Sequence, residues 1–297
     1  MPTDIQQDLT DRILSLMQNA DTWNHFLRNA PKQAGAPMNI ANKRHYQGVN
    51  VLVLWATQLE KGYTSPNWAT FKQIKQAGGN VRKGEKSTAV IFFKTLDVED
   101  RDTGEAKTIP MARSFRVFNA DQCDNLPASW LPDVEPVITD TNECIAIADQ
   151  FFADQNAKHE HHATRAFYHR DTDTIHTPHI DAFNSTTGYY GTLLHELVHW
   201  TSHADRCDRV LGKRFGDDAY AFEELVAELG AVFLSAKLGV DLEHDRDGIE
   251  NHASYLASWS KRMKDDKRAI ITAASLASKA VAFLEDNALA NTHQEAA

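Results

Sequence analysis

The chain has little cysteine, three in 297 residues. Cys123, Cys144 and Cys207 are an odd and scattered set, which excludes a disulfide framework and a cysteine-based zinc site. Each is expected to be a small buried thiol. No continuous apolar stretch reaches the length needed to span a bilayer. The first residues, from Met1 to Asp8, are polar and acidic, unlike the basic and apolar start of a signal peptide. There is no internal repeat. These absences lead to the expectation of a soluble cytoplasmic protein with no membrane partner. The length leaves room for one large or two ordinary domains.

What is present is concentrated in two places. The first is segment 189–200, Tyr-Tyr-Gly-Thr-Leu-Leu-His-Glu-Leu-Val-His-Trp. His195 and His199 are four residues apart, so on a helix their rings lie one turn apart on one face. Two such imidazoles can hold one divalent ion, with zinc the usual occupant. Glu196 then stands beside the open metal position, where it can take a proton from water. Leu193, Leu194, Leu197 and Val198 bury the rest of the helix. With 14 histidines in the chain, the motif alone could arise by chance. Its apolar helical setting, and a second acidic helix downstream, are what chance would not supply.

That second helix is expected over residues 220–234, where apolar residues recur at helical spacing. Glu224 and Glu228 share a face, one turn apart, in a run that otherwise reads as buried. A buried carboxylate is costly unless it is paired or binds metal. One of the two is therefore the expected third ligand. The pattern of zincins that use a Glu ligand puts Glu224 on the metal and Glu228 behind a histidine ligand. Glu223 falls on a different face and is expected to be solvated. His203 continues the four-residue step but stands about 12 Å from His195 along a helix axis, and reads as a helix-end residue. Asp205 would need a glycine-assisted turn before it, and position 202 is Ser. The expected complement is one divalent ion per chain, Zn2+ or another divalent metal, on His195, His199 and Glu224, with Glu196 as the base.

The second concentration is of charge. The formal net charge is −10. Residues 1–127 hold 16 Lys and Arg against 13 Asp and Glu, and the remainder 15 against 28. Within residues 21–94 the imbalance sharpens to 11 basic against 3 acidic. Such asymmetry marks a polyanion-binding module joined to something else. Pro127, Pro132 and Pro136 punctuate the expected boundary. The expected domains are 1–127 and 137–297, and a fragment ending near Pro127 should retain most of the affinity for nucleic acid.

The basic half is also aromatic. Trp23, Phe26, Tyr46, Trp55, Tyr63, Trp68 and Phe71 alternate with lysines and arginines, and a glycine-flanked basic turn follows at 78–86. A strand is expected at 88–93, with a hairpin partner at 114–118 beyond an acidic loop at 97–105. Cations that track phosphates beside rings that stack on unpaired bases suit single-stranded DNA. The residues that fit are Arg44, Tyr46, Trp68, Lys72, Arg82, Lys83 and Lys86. Trp55, in a continuous apolar run, is expected in the core; Tyr46 and Trp68 divide evenly between core and stacking.

Elsewhere the readings are structural. Residues 173–180, with an alternating start and Pro178, read as a sheet-edge strand lining a cleft, where His176 and His179 could meet substrate or metal. His159, His161 and His162 read as a surface turn, 269–284 as an Ala-rich packing helix, and Tyr255 as core or an oxyanion donor.

Met38-Asn39-Ile40, Tyr46-Gln47-Gly48-Val49-Asn50, Asn67-Trp68-Ala69-Thr70-Phe71-Lys72 and Val81-Arg82-Lys83-Gly84-Glu85-Lys86 resemble the N-terminal module of ArdC-type antirestriction proteins. Residues 193–201, 222–231, 255–259 and 264–267 resemble the zincin-like domain fused to it. The likeness covers nearly the whole chain. One departure is Phe71, where related modules often carry a small or polar residue. The resemblance implies plasmid-encoded binding of single-stranded DNA and protection of incoming DNA from host restriction. The fold expected is α+β: a basic α/β DNA-binding module and a mainly helical zincin-like metallopeptidase domain with a small sheet. The alternative is a DNA-tethered zinc metalloprotease that cleaves DNA-bound proteins, with a host protein or restriction component as partner. A DNA-binding shield with a purely structural metal is a third reading, but such a site should be closed by four protein ligands.

Overall fold

The structure, a computed structural model, describes residues 5–18, 20–99, 106–130, 141–210, 218–239 and 250–295. Helices α1 (Ile5–Leu16) and α2 (Ala20–Ala34) come first. Each turns a stripe inward: Leu9 and Ile13 from one, Trp23, Phe26, Leu27 and Ala30 from the other, at the spacing of an amphipathic helix. Strands β1 (Met38–Asn39) and β2 (Arg44–His45) lead to α3 (Val49–Lys61). Every residue of α3 from Val49 to Gln58 is buried, which is why Val51 to Ala56 are apolar without a break. Gly48 before it and Gly62 after it have φ of 62° and 69°, a region glycine enters without the usual steric penalty.

Strand β3 (Asn67–Thr70) runs directly into α4 (Phe71–Gln76), whose start is a capping box between Thr70 and Gln73. Next come β4 (Asn80–Val81), the long hairpin of β5 (Thr88–Glu99) and β6 (Ala106–Asn119), and β7 (Cys123–Asp124). The five-stranded sheet has the order β2-β1-β3-β6-β5, and β4 pairs with β7. The hairpin is longer than its apolar core alone predicts: the pairing continues from Thr88 opposite Val117 to Glu99 opposite Ala106. Residues 97–99 of the expected acidic loop are strand, and 100–105 lie outside the described residues. The edge strand β5 is anchored from α3. Asn50 Nδ2 donates to Ile91 O at 2.7 Å and its Oδ1 accepts from Ile91 N at 2.8 Å, so a buried side chain satisfies main-chain groups at the sheet edge.

The second half contains α5 (Thr141–Ala153), β8 (Lys158–His161), β9 (Phe167–His169) and β10 (Thr174–Thr177), then α6 (Thr186–Trp200), α7 (Asp218–Leu238), α8 (Glu250–Asp265) and α9 (Ala269–Glu295). The packing helix expected at 269–284 is present and extends further. The small sheet has the order β8-β10-β9. Two expectations need correction here. Residues 174–177 form the central strand, not an edge, because Pro178 lies just beyond the pairing and costs it no hydrogen bond. His159 and His161 belong to β8, paired in parallel with β10, and not to a turn. The thiols of Cys123 and Cys207 are half-buried rather than buried; burial pushes the Cys123 thiol up to about 11.

The two halves share one hydrophobic core, which runs from Leu9 on α1 to Ala288 on α9. Trp55 of α3 meets Phe233 of α7 edge to face at 5.7 Å between ring centroids, and donates its indole N–H to Gly35 O. Gly48 N donates to Ser278 Oγ of α9, and Thr10 Oγ1 donates to Lys267 O. A fragment ending near Pro127 would strip these apolar faces of their cover.

Candidate metal centre and basic face

Ser185 caps α6, its hydroxyl accepting from Gly188 N. All residues from Gly188 to Trp200 are buried, so this helix is apolar wherever chemistry does not require otherwise. Helix α7 lies close against it. A Cβ at Gly230 would stand 2.8 Å from Val198 Cγ1, a distance that only glycine avoids. That approach brings α7 carboxylates to the α6 histidines.

Three groups converge. His195 Nε2 and His199 Nε2 are 3.1 Å apart. Glu224 Oε2 is 3.6 Å from His195 Nε2, and Glu224 Oε1 is 3.4 Å from His199 Nε2. Among the described residues these form the group whose ligand atoms, all within 4.8 Å of one another, could hold a metal ion. Two imidazoles and a carboxylate suit a divalent metal. Glu196 is buried on the same helix, near enough that its charge helps raise His199. Burial opposes ionisation of both His199 and Glu224. Hydrogen bonds prevail: those with His195 and His199 hold Glu224 well below the usual carboxylate range, and those with Glu223 and Glu224 push His199 up to about 10.

The outer nitrogens of both histidines face carboxylates. Glu228 Oε2 is 3.8 Å from His195 Nδ1, on the side away from the convergent Nε2 atoms. Glu223 Oε1 is 3.4 Å from His199 Nδ1. The expectation that Glu223 is solvated is wrong: it is 3% exposed. Arg209, itself 5% exposed, accounts for this. Its Nε and Nη2 donate to Glu223 at 3.1 and 2.7 Å, its Nη1 to Thr201 Oγ1 at 2.8 Å, and its Nη2 also to Val198 O at 2.8 Å. A buried cation thus makes a buried anion tolerable. Helical spacing could not reveal this, because Arg209 comes from the loop after α6. His203 and Asp205 pair with each other at 3.4 Å at that loop's outer side. The side chain of Tyr255 lies outside the described residues.

The basic face departs from expectation in its rings. Trp68 is fully buried and Tyr46 nearly so. Trp68 packs edge to face on Tyr63, and Tyr46 hydrogen-bonds Asn39. Neither offers a free face for stacking. Trp55 is core, as its apolar run predicts. Among the described residues the exposed large aromatics are Phe71, Phe92 and Phe115. Among the cations, Arg44, Lys72, Lys83 and Lys86 are exposed. Arg82 is exposed too, but is tied to Glu85, Asp124 and the carbonyl of Asp121, so it braces the basic turn. Strand alternation does not say how far along a hairpin the core reaches: Val90 and Val117 share a face with Phe92 and Phe115 yet are buried, which is why the sequence does not single out the two phenylalanines.

Comparisons with known proteins agree in outline. The N-terminal domain of anti-restriction factor ArdC matches residues 3–118, and the zincin-like metallopeptidase family matches residues 146–276. An uncharacterised protein, y4eC, of Sinorhizobium fredii is 35% identical over 93% of this chain and 90% of its own length. Two DNA primases TraC of Escherichia coli are also 35% identical, but the chain spans only 24% and 18% of them. The metal-free crystal structure of the antirestriction protein ArdC from plasmid R388 is 42% identical, with a TM-score of 0.78 over 97% of this chain and 98% of that one. Its Mn(II)-bound form matches at 39% identity and a TM-score of 0.77, over 96% of this chain and 98% of that one. Among the described residues no helix is long and apolar enough to cross a membrane.

Proposed function

The chain belongs to the ArdC antirestriction family, and on that premise we propose that it protects incoming DNA from host restriction in the cytoplasm by binding it as single strands. The observation that carries this reading is the whole-chain likeness to the R388 protein. The exposed cations Arg44, Lys72, Lys83 and Lys86 supply its physical means: they neutralise phosphates and release counterions. Arg82 stiffens the turn that presents Lys83 and Lys86.

The second part of the proposal concerns the metal centre. His195, His199 and Glu224 would hold one zinc ion per chain, and three protein ligands in place of four would leave a position for water, the complement of catalytic rather than structural zinc. The same nitrogen and oxygen donors also accept Mn(II), the ion in the R388 relative. A bound divalent ion supplies Lewis acidity. Glu196 holds a carboxylate beside that position, fit to accept a proton. Glu228 and Glu223 hold the outer nitrogens of the histidines, which fixes ring orientation and tautomer. Such a centre is equipped for peptide hydrolysis, with a host protein or restriction component as substrate.

Protection runs through DNA binding and does not require hydrolysis. The test is a DNA-protection assay and a protein-cleavage assay run side by side on wild type, Glu196→Gln and, as a metal-depleted control, Glu224→Ala. Glu196→Gln should keep its metal, lose any hydrolysis and still protect. If it binds DNA but protects nothing, the alternative of a DNA-tethered protease takes its place.

A further inference from the structure

We infer that Phe92 and Phe115 form the base-stacking platform for single-stranded nucleic acid, an inference that rests on the DNA-binding reading above. The two rings are 45% and 42% exposed. They meet edge to face at 5.4 Å between centroids, and the buried Tyr46 ring stands 6.2 Å from Phe92. Towards the Thr88–Val117 end of the hairpin, Val90 and Val117 on the same face and Ile91 on the other are buried in the core, whereas these two phenylalanines are left outside it. Exposed apolar surface of this kind marks a contact site.

The register supplies the rest of the platform. Val90 lies opposite Phe115 and Phe92 opposite Arg113, and directly opposed residues share a face. Arg113 is exposed. A cation therefore stands beside the ring pair on the same side of the sheet. Residues 88–92 and 112–119 contain no acidic residue; the hairpin's Asp97 and Glu99 lie further along β5. A hydrophobic protein partner needs no such charge; a nucleic acid backbone does. The rings are also preorganised. Asn50 pins the main chain of Ile91, one residue from Phe92, so little freedom remains to be lost when bases stack.

The test measures binding of a fluorescent oligothymidine strand, and of a duplex of equal length, to the full chain at several salt concentrations. Wild type is compared with Phe92→Ala/Phe115→Ala and with Phe92→Leu/Phe115→Leu, which keeps apolar contact and removes the rings. Single-strand affinity should fall about 10–100-fold in either double variant. Duplex affinity, and the slope of affinity against salt, should stay as in wild type. If wild type binds single strands and the leucine variant binds them equally well, the platform is wrong and the DNA-binding reading stands. The platform is equally wrong if the variants change only self-association. If wild type itself fails to bind single strands, the underlying reading falls first.

Discussion

The candidate metal centre buries its charges and the basic face displays them. Around α6 and α7, Glu196, Glu223, Glu224, Glu228 and Arg209 are all buried, together with the two histidines they face. On the basic face, Arg44 of β2, Lys72 of α4, Lys83 and Lys86 of the basic turn and Arg113 of β6 reach into solvent. Buried charges interact strongly and are screened little by salt. Each must therefore be matched by a neighbour within hydrogen-bonding reach, and a single loss is expensive. Exposed charges act together through a field that salt weakens, and no one of them is decisive. The first design suits a site that must hold one ion in one place. The second suits a partner with many equivalent phosphates.

The sharpest way to break this comparison is Arg209→Ala. It leaves the Glu223 carboxylate buried among groups that no longer balance it, and should cost about 3–5 kcal/mol of stability. Chemical denaturation would measure it; a loss below about 1 kcal/mol, the range of exposed pairs, would mean that the pair is not a matched buried couple.

A smaller effect is expected from Glu223→Gln, which keeps the shape but removes the charge behind His199. Metal affinity should fall about 10–100-fold, read by competition with a chelating dye. Proton competition should sharpen the same measurement. His199 is held at about 10 in the metal-free protein, against burial, by Glu223 and Glu224, whereas a free histidine titrates near about 6.5. The bound proton stabilises the metal-free fold below the unfolded value, and that contribution is lost as pH rises through the folded one. Metal must displace this proton, so wild-type affinity should climb from neutral pH upward, with proton release visible by calorimetry in buffers of different ionisation heat. Affinity that is flat with pH would contradict the assignment.

The smallest effect belongs to the exposed set. Lys83→Ala should leave stability within about 0.5 kcal/mol and lower the slope of log affinity against log salt by about 1. A large loss of stability would show that the display of charge is not a surface property.

What could be read before folding followed the same divide. The spacing of His195 and His199, and the shared face of Glu224 and Glu228, are local properties of helices, so sequence alone carries them. The hairpin was legible from its apolar strands, though its length was not, because the pairing extends through residues that include Lys94, Thr95 and Asp97. The burial of Glu223 depended on Arg209, from a loop that no periodicity describes. The burial of Trp68 and Tyr46 depended on contacts with Tyr63, Asn39 and other residues that no local pattern describes, and the exposure of Phe92 and Phe115 on how far along the hairpin the core reaches. Composition marked the basic half but not the core it shares with the acidic one, since Trp55 and Phe233 are far apart in the chain.

Gly230 has a bearing on how such a chain can diverge. Its missing Cβ lets α7 sit against the Val198 side chain, and a β-branched residue on a helix has almost no rotamer to retreat into. The two positions are therefore coupled: an alanine at 230 is admissible only alongside a smaller residue at 198, and neither change is neutral without the other. Families of chains built on this pair of helices should explore positions 198 and 230 as one unit. Histidines and glutamates that never touch Gly230 inherit its restriction.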